Sequence, residues 1–193
     1  MTAAQTAISP TLSANRQPAG ARVGIPPRRV MMNLDKSDAG YWYADSPFLT
    51  YFWSAFSVLL PEGEQFFVNA VRHYRDQITD ADLKAAISGF IGQEALHTQG
   101  HQVLNDFINA KQLPAAELES QLKILLDAVA KIHPRLNLAI TISLEHFTAL
   151  LGEQLLAEAD HHGAVAEDIR PLWMWHALEE TAHKAVAWDV YQQ

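Results

Sequence analysis

A chain of 193 residues, 49% hydrophobic and 19% charged, is long enough for one domain with a substantial core and lies well away from disordered compositions. A formal charge of -8, with only 14 Lys and Arg together, argues against a nucleic-acid surface and towards small-molecule chemistry. The absence of Cys excludes disulfides, thiolate nucleophiles and Cys-based zinc or iron–sulfur sites, and it suits a reducing, cytoplasmic setting in which any metal is held by oxygen and nitrogen.

Residues 1–40 read as a disordered or extended tail, and residues 41–193 as one helical bundle. The first 30 residues are rich in Ala, Ser, Pro and Arg, with Arg16, Arg22, Arg28 and Arg29 but no apolar h-region, so they are no signal peptide; an organelle transit peptide is the weaker reading. No apolar run approaches the roughly 18 residues of a membrane span.

The first helical stretch opens with Ser46 as cap and Pro47 in the first turn and runs to about Gln77, with Pro61 expected to kink or restart it. Thr79 or Asp80 caps the second, which continues to about Ala110 and ends in the Leu113-Pro114 turn. A third begins near Ala115, is interrupted at His133-Pro134 and resumes as NLAITISLEHFTALLGEQLLAEA, whose nearly all-round apolar first half predicts the most buried helix. The fourth follows the HHGAVAED loop, takes Pro171 into its first turn and carries its pattern to Tyr191 without a stop signal, as a C-terminally shortened form would. The class is all-α, a four-helix bundle.

Carboxylate-bridged dimetal bundles take one Glu from each of two helices and Glu-x-x-His from each of two others, because positions three apart share a helical face. Here Glu94 and His97 lie in GQEALHTQGH, Glu180 and His183 in EETAH, Glu145 sits mid-helix, and Glu64 follows Pro61. With 11 Glu and 9 His, chance gives about half of one Glu-x-x-His pair, and three occur. The third, Glu158 and His161, precedes Gly163 and reads as a helix-end pair favoured by the macrodipole. His101 and His176 fall on the faces of Glu94 and Glu180, as additional ligands or as donors that orient the carboxylates. Glu145 stands among Leu144, Phe147, Leu150 and Leu151, where a bare carboxylate would cost several kcal/mol, so a cation or donors must neutralise it. Glu62 competes with Glu64 as a first-turn acid behind Pro61. His146 points about 100° from Glu145 and reads as packing. Trp173, Trp175 and Trp188 read as core or interface. No nucleophile elbow, phosphate loop, dinucleotide fingerprint or His-Glu-x-x-His is present.

Four ordered blocks, PEGEQFF at 61–67, FIGQEALHTQGH at 90–101, LEHFTALLGE at 144–153 and WHALEETAHKAVAWDVY at 175–191, resemble the bacterial family of predicted metal-dependent hydrolases, which is similar to the ferritin-like group. The resemblance implies a ferritin-like four-helix bundle. It singles out Glu64 rather than Glu62, with Glu94, His97, Glu145, Glu180 and His183, as ligands, and it implies that members continue beyond the equivalent of Gln193.

The resulting expectation is an enzyme with two divalent ions, iron or manganese by donor chemistry and zinc as a further candidate, bridged by Glu94 or Glu145 as the catalytic carboxylates. Such a centre hydrolyses a small substrate or activates dioxygen. A non-catalytic metal-storage bundle and a purely structural bundle are the competing readings, and a homodimer is one admissible assembly. Phe52, Phe56, Phe67, Leu150 and Trp175 would line an apolar substrate pocket or simply fill the core.

Overall fold

Ser46 accepts a hydrogen bond from the Leu49 amide at 3.4 Å, and Pro47 supplies a helical φ where no N–H is needed, so together they start α1, Pro47–Arg72. Asp80 caps α2, Ala81–Ala110, by accepting from the Leu83 amide at 2.8 Å. His133 and Pro134 separate α3, Ala115–Ala130, from α4, Pro134–Ala157, at the expected interruption. Three further helices follow: α5, Ala159–Gly163, α6, Arg170–His183, and α7, Val186–Tyr191. This computed structural model describes residues 24–34, 37, 40–111 and 113–193. The tail's first 23 residues, with the disorder and transit-peptide readings, lie outside them. Regular structure among the described residues is helical, apart from one isolated bridge between Tyr43 and Val165. Among the described residues, no helix is long and apolar enough to cross a membrane.

Three expectations need correction. First, α1 runs through Pro61 without restarting and stops at Arg72, and Arg75–Gln77 form a separate 3-10 turn. Proline has no N–H, so the Ser57 carbonyl loses its helical donor. Asn105 of α2 replaces it, donating from Nδ2 to that carbonyl at 3.2 Å, while Asn105 Oδ1 accepts the Ser57 hydroxyl at 2.8 Å. Second, the fourth stretch is two helices, and after its break α7 buries Val186, Ala187 and Val190. Third, α4 is not the most buried helix: Leu136, Leu144, Phe147 and Leu150 are exposed. Its buried face mixes Asn137, Thr141, Glu145, Thr148 and Gly152 with Leu138, Ala149 and Leu155, so a search for apolar faces does not single it out.

The core is layered along the helices. One apolar cluster joins Val58 and Leu60 of α1, Leu104 and Ile108 of α2, Leu155 of α4, and Leu172 and Trp173 of α6. A second joins Phe66 and Phe67 of α1, Leu83, Ile87 and Phe90 of α2, Leu138 of α4, and Val186 and Val190 of α7. Between them, on the same helices, lies a buried polar layer containing Glu64, Glu94, His97, Glu145 and Glu180. Residues 24–34 run without regular structure beside the bundle, with Ile25 buried in the second cluster and Leu34 in the first.

Replacing Asn105 by Leu leaves the Ser57 carbonyl orphaned and is expected to cost about 1–3 kcal/mol, read as a lower urea midpoint. Adding Pro61→Ala to that variant restores an N–H for the carbonyl and recovers part of the loss. An Asn105→Leu protein as stable as wild type would show that the carbonyl needs no donor.

Candidate metal centre

Helix α1 brings Glu64 to the polar layer, α2 brings Glu94, His97 and His101, α4 brings Glu145, and α6 brings His176, Glu179, Glu180 and His183; every one is buried. The spacings of three and four keep each helix's contribution on one face. Glu62 is turned outward and meets Lys123 at 3.6 Å. His146 is exposed on α4, and Glu158 and His161 are exposed where α4 gives way to α5, so none of the three joins the cluster.

Around His183 Nε2 lie Glu94 Oε1 at 3.0 Å, Glu145 Oε2 at 3.3 Å and Glu180 Oε1 at 3.5 Å. Around His97 Nδ1 lie Glu94 Oε2 and Glu180 Oε1, each at 3.8 Å. Candidate ligand atoms converge within 4.8 Å in three overlapping groups: Glu94 with Glu145 and His183, Glu94 with His97 and Glu180, and Glu64 with His97 and His176. Donors about 2.1 Å from one ion and at right angles sit about 3.0 Å apart. The separations around His183 therefore suit atoms sharing a cation. Both oxygens of Glu94 and of Glu145, Glu64 Oε1 and His183 Nε2 are buried without a hydrogen-bond partner. Buried polar atoms are rarely left so, and here they belong to the residues of the three overlapping groups. The donor set fits a divalent metal.

The structure adds two residues that sequence reasoning missed. Gln93 Oε1 lies 2.9 Å from His183 Nδ1, and Gln93 Nε2 donates to the Pro26 carbonyl at 3.3 Å. The amide is thereby oriented, His183 Nδ1 carries one proton, and Nε2 is turned towards the carboxylates, open to a metal or a second proton. Glu179 Oε2 faces His97 Nε2 at 3.2 Å and likewise leaves Nδ1 for the centre. Each residue immediately precedes the Glu of one Glu-x-x-His motif and holds the histidine of the other. That doublet, Gln-Glu in one motif and Glu-Glu in the other, is the sequence signal that could have found them.

His101 does not face the carboxylates. Its Nδ1 lies 2.9 Å from Ser57 Oγ and its Nε2 lies 2.9 Å from His176 Nδ1. Because the Ser57 hydroxyl is spent on Asn105, one proton order satisfies every partner: His101 donates from Nδ1 to Ser57, and His176 donates from Nδ1 to His101. His176 Nε2 is then bare, 3.1 Å from Glu180 Oε1, whose other oxygen accepts the Thr148 hydroxyl.

Burial pushes Glu64 well above the usual carboxylate range, with Glu94 adding to it, and pushes Glu145 up to about 8 against the pull of His183. Burial is the largest influence on Glu94 and Glu180 too, but His183 together with His97 at Glu94, and His183 together with His176 at Glu180, hold Glu94 below its ordinary value and Glu180 well below. Burial opposes charge on His97, yet Glu179 and Glu94 raise it to about 10; Glu145 and Glu94 likewise carry His183 well up. Burial, then neighbouring imidazoles, lower His101 and His176 and keep them neutral.

The expected apolar lining is only partly near this centre. Phe52 and Leu150 are exposed, and Phe67 belongs to the second apolar cluster. The Trp175 ring meets His97 edge-on at 4.8 Å, and Phe56 stacks on Trp173. Trp53, Phe56, Trp173 and His176 border a cavity of about 20 Å³.

The fold and the site together define a helical protein with buried Glu and His groups able to hold divalent metal. The chain belongs to the family of predicted metal-dependent hydrolases, whose family model matches residues 26–193. No curated protein and no solved structure matches it.

Metal-free protein is expected to lose stability as pH rises. Glu145 folded, at about 8, keeps a proton that the unfolded chain sheds near 4.5, so stability falls as pH rises across that window. The charge on His97 stabilises fully below 6.5, and that contribution is lost as pH rises through about 10. Urea midpoints of metal-free protein across that range check the slope, and a divalent ion should flatten it by taking the protons' places.

Proposed function

We propose that the chain is a two-metal carboxylate and histidine enzyme built as a ferritin-like four-helix bundle, with α1, α2, α4 and α6 as its arms. The observation that carries this reading is Glu94, whose Oε1 lies 3.0 Å from His183 Nε2 and whose Oε2 lies 3.8 Å from His97 Nδ1. A carboxylate with one oxygen at each of two imidazoles is the bridge such a centre needs. In this reading His183, Glu145 and Glu94 would hold one ion, and His97, Glu64, Glu180 and Glu94 would hold the other, with His176 offering a third nitrogen beside Glu180. Charge favours two ions: with their protons displaced, Glu64, Glu94, Glu145 and Glu180 would carry four buried negative charges, which two divalent cations offset and one does not, while Glu179 has Arg28 as its partner.

Oxygen and imidazole donors suit iron or manganese. When bound, such ions lower the pKa of water, polarise a substrate oxygen or, as iron, react with dioxygen. The residues' own tasks are separate. Gln93 and Glu179 fix the two rings, Glu94 sets the spacing, and Glu145, when its ion is absent, holds a proton at its carboxyl below about pH 8. The cavity beside His176 has an apolar aromatic wall and room for about one water-sized molecule. It favours dioxygen as a reactant over direct entry of a bulky ester. The family description favours hydrolysis, the second branch.

Elemental analysis of protein grown with iron and manganese should return two ions per chain, and Glu94→Gln no more than one. Metal-free protein reloaded with ferrous iron under nitrogen and then given air should consume oxygen and gain a new absorption band. Silence in both would remove the oxidative branch and leave hydrolysis, tested on small esters and amides. A wild-type chain that holds no metal would sink the proposal as a whole.

A further inference from the structure

The two residues that orient the histidines are themselves held from outside the bundle by a single short segment. Pro26 accepts from Gln93 through its carbonyl at 3.3 Å. Arg28 gives Glu179 Oε1 its backbone N–H at 3.1 Å and its guanidinium at 3.4 Å. Pro26 and Pro27 have no N–H to satisfy, and their fixed φ favours an extended course. The segment thus offers a carbonyl at Pro26 and, as the first N–H after the two prolines, that of Arg28, opposite the two residues that need them.

Helix α2 is shaped to receive it. A Cβ on Gly89 would lie 2.3 Å from the Ile25 carbonyl oxygen, and one on Gly92 would lie 2.5 Å from Pro27 Cγ. Any side chain at Gly89 must therefore displace the segment's backbone. These close approaches stand one turn or less before Gln93.

We infer that Ile25–Arg28 is a positioning strap of the metal centre, wired through Gln93 to His183 and through Glu179 to His97, so that one segment fixes both ligand rings. The inference rests on the two-metal reading above. Its physical content is directional. With Nε2 of Gln93 bound to the Pro26 carbonyl, the amide must present Oε1 to His183. With the strap lifted, the amide can turn over, present its N–H to His183 Nδ1 and drive the imidazole proton onto Nε2, the atom facing Glu94 and Glu145. On the other side, Glu179 without Arg28 loses its backbone donor, and the carboxylate that holds His97 Nε2 becomes free to swing.

Titrating metal-free protein with cobalt(II) against a competing chelator tests this, with the visible spectrum of the cobalt protein recorded alongside. Gly89→Ala puts the better helix former into α2 and lifts the strap. Arg28→Pro, at a side chain 49% exposed, deletes both donors to Glu179 and keeps the chain extended. Gly163→Ala, in open space at the end of α5, is the control. Wild type and control should bind two cobalt ions with one spectrum. Both strap variants should bind about 10- to 100-fold more weakly, with altered cobalt bands and unchanged helical circular dichroism. Arg28→Pro decides the matter should Gly89→Ala fail to fold. Wild-type affinity and spectrum in the strap variants would overturn the strap while leaving the two-metal reading intact. A wild-type protein that takes up no cobalt would overturn both.

Discussion

Crowding carboxylates into a dry interior is the constraint to which the rest of this molecule answers. Ionised carboxylates leave water at a cost of several kcal/mol each and repel one another once together. Five of them, Glu64, Glu94, Glu145, Glu179 and Glu180, are buried in one layer here. Protons can neutralise the layer: Glu64 and Glu145 keep theirs far above the ordinary range, and His97 and His183 take up theirs. Protons and divalent ions thus compete for the same atoms. The apolar clusters on either side supply the stability that this layer consumes, since Phe90, Leu83, Ile87, Leu104, Leu138 and Leu172 are buried almost completely.

Much of this was legible because helical spacing is a local property. Glu94 with His97 and Glu180 with His183 can be placed on inward faces from a spacing of three, whereas Leu144, Phe147 and Leu150, the apolar neighbours that make Glu145 read as buried, are themselves exposed. Elements opened by a cap and a proline, such as α1 at Ser46-Pro47, were equally local. The helix does not restart at Pro61, because the rule that proline breaks a helix assumes the lost donor stays lost. Asn105, far away in sequence, supplies the missing donor. The inward face of α4 was misread because apolar periodicity locates a core, and the centre of this one is polar.

Gln93 and Glu179 were invisible for a different reason. Each stands about 100° around the helix from the Glu beside it, which in isolation reads as a solvated flank. Only the pairing of α2 with α6 turns each flank towards the other helix's histidine. The reciprocity has a geometric origin: two helices each presenting Glu-x-x-His to one centre must also bring the residue before each Glu close to the partner helix. A doublet of hydrogen-bonding residues at both motifs is therefore more telling than at either alone.

The remaining histidines show how a lost backbone hydrogen bond can reach the centre. Pro61 leaves the Ser57 carbonyl unpaired, which fixes the Asn105 amide with its Nδ2 inward. The amide oxygen then takes the Ser57 hydroxyl, the hydroxyl oxygen takes the His101 proton, and His101 takes the proton of His176. Each step removes one alternative from the next, until His176 has one ring nitrogen engaged and the other bare beside Glu180. A rotatable hydroxyl alone could not impose this order, because it donates or accepts with equal ease. A carbonyl can only accept, so a proline in α1 sets the direction of the whole chain of donors.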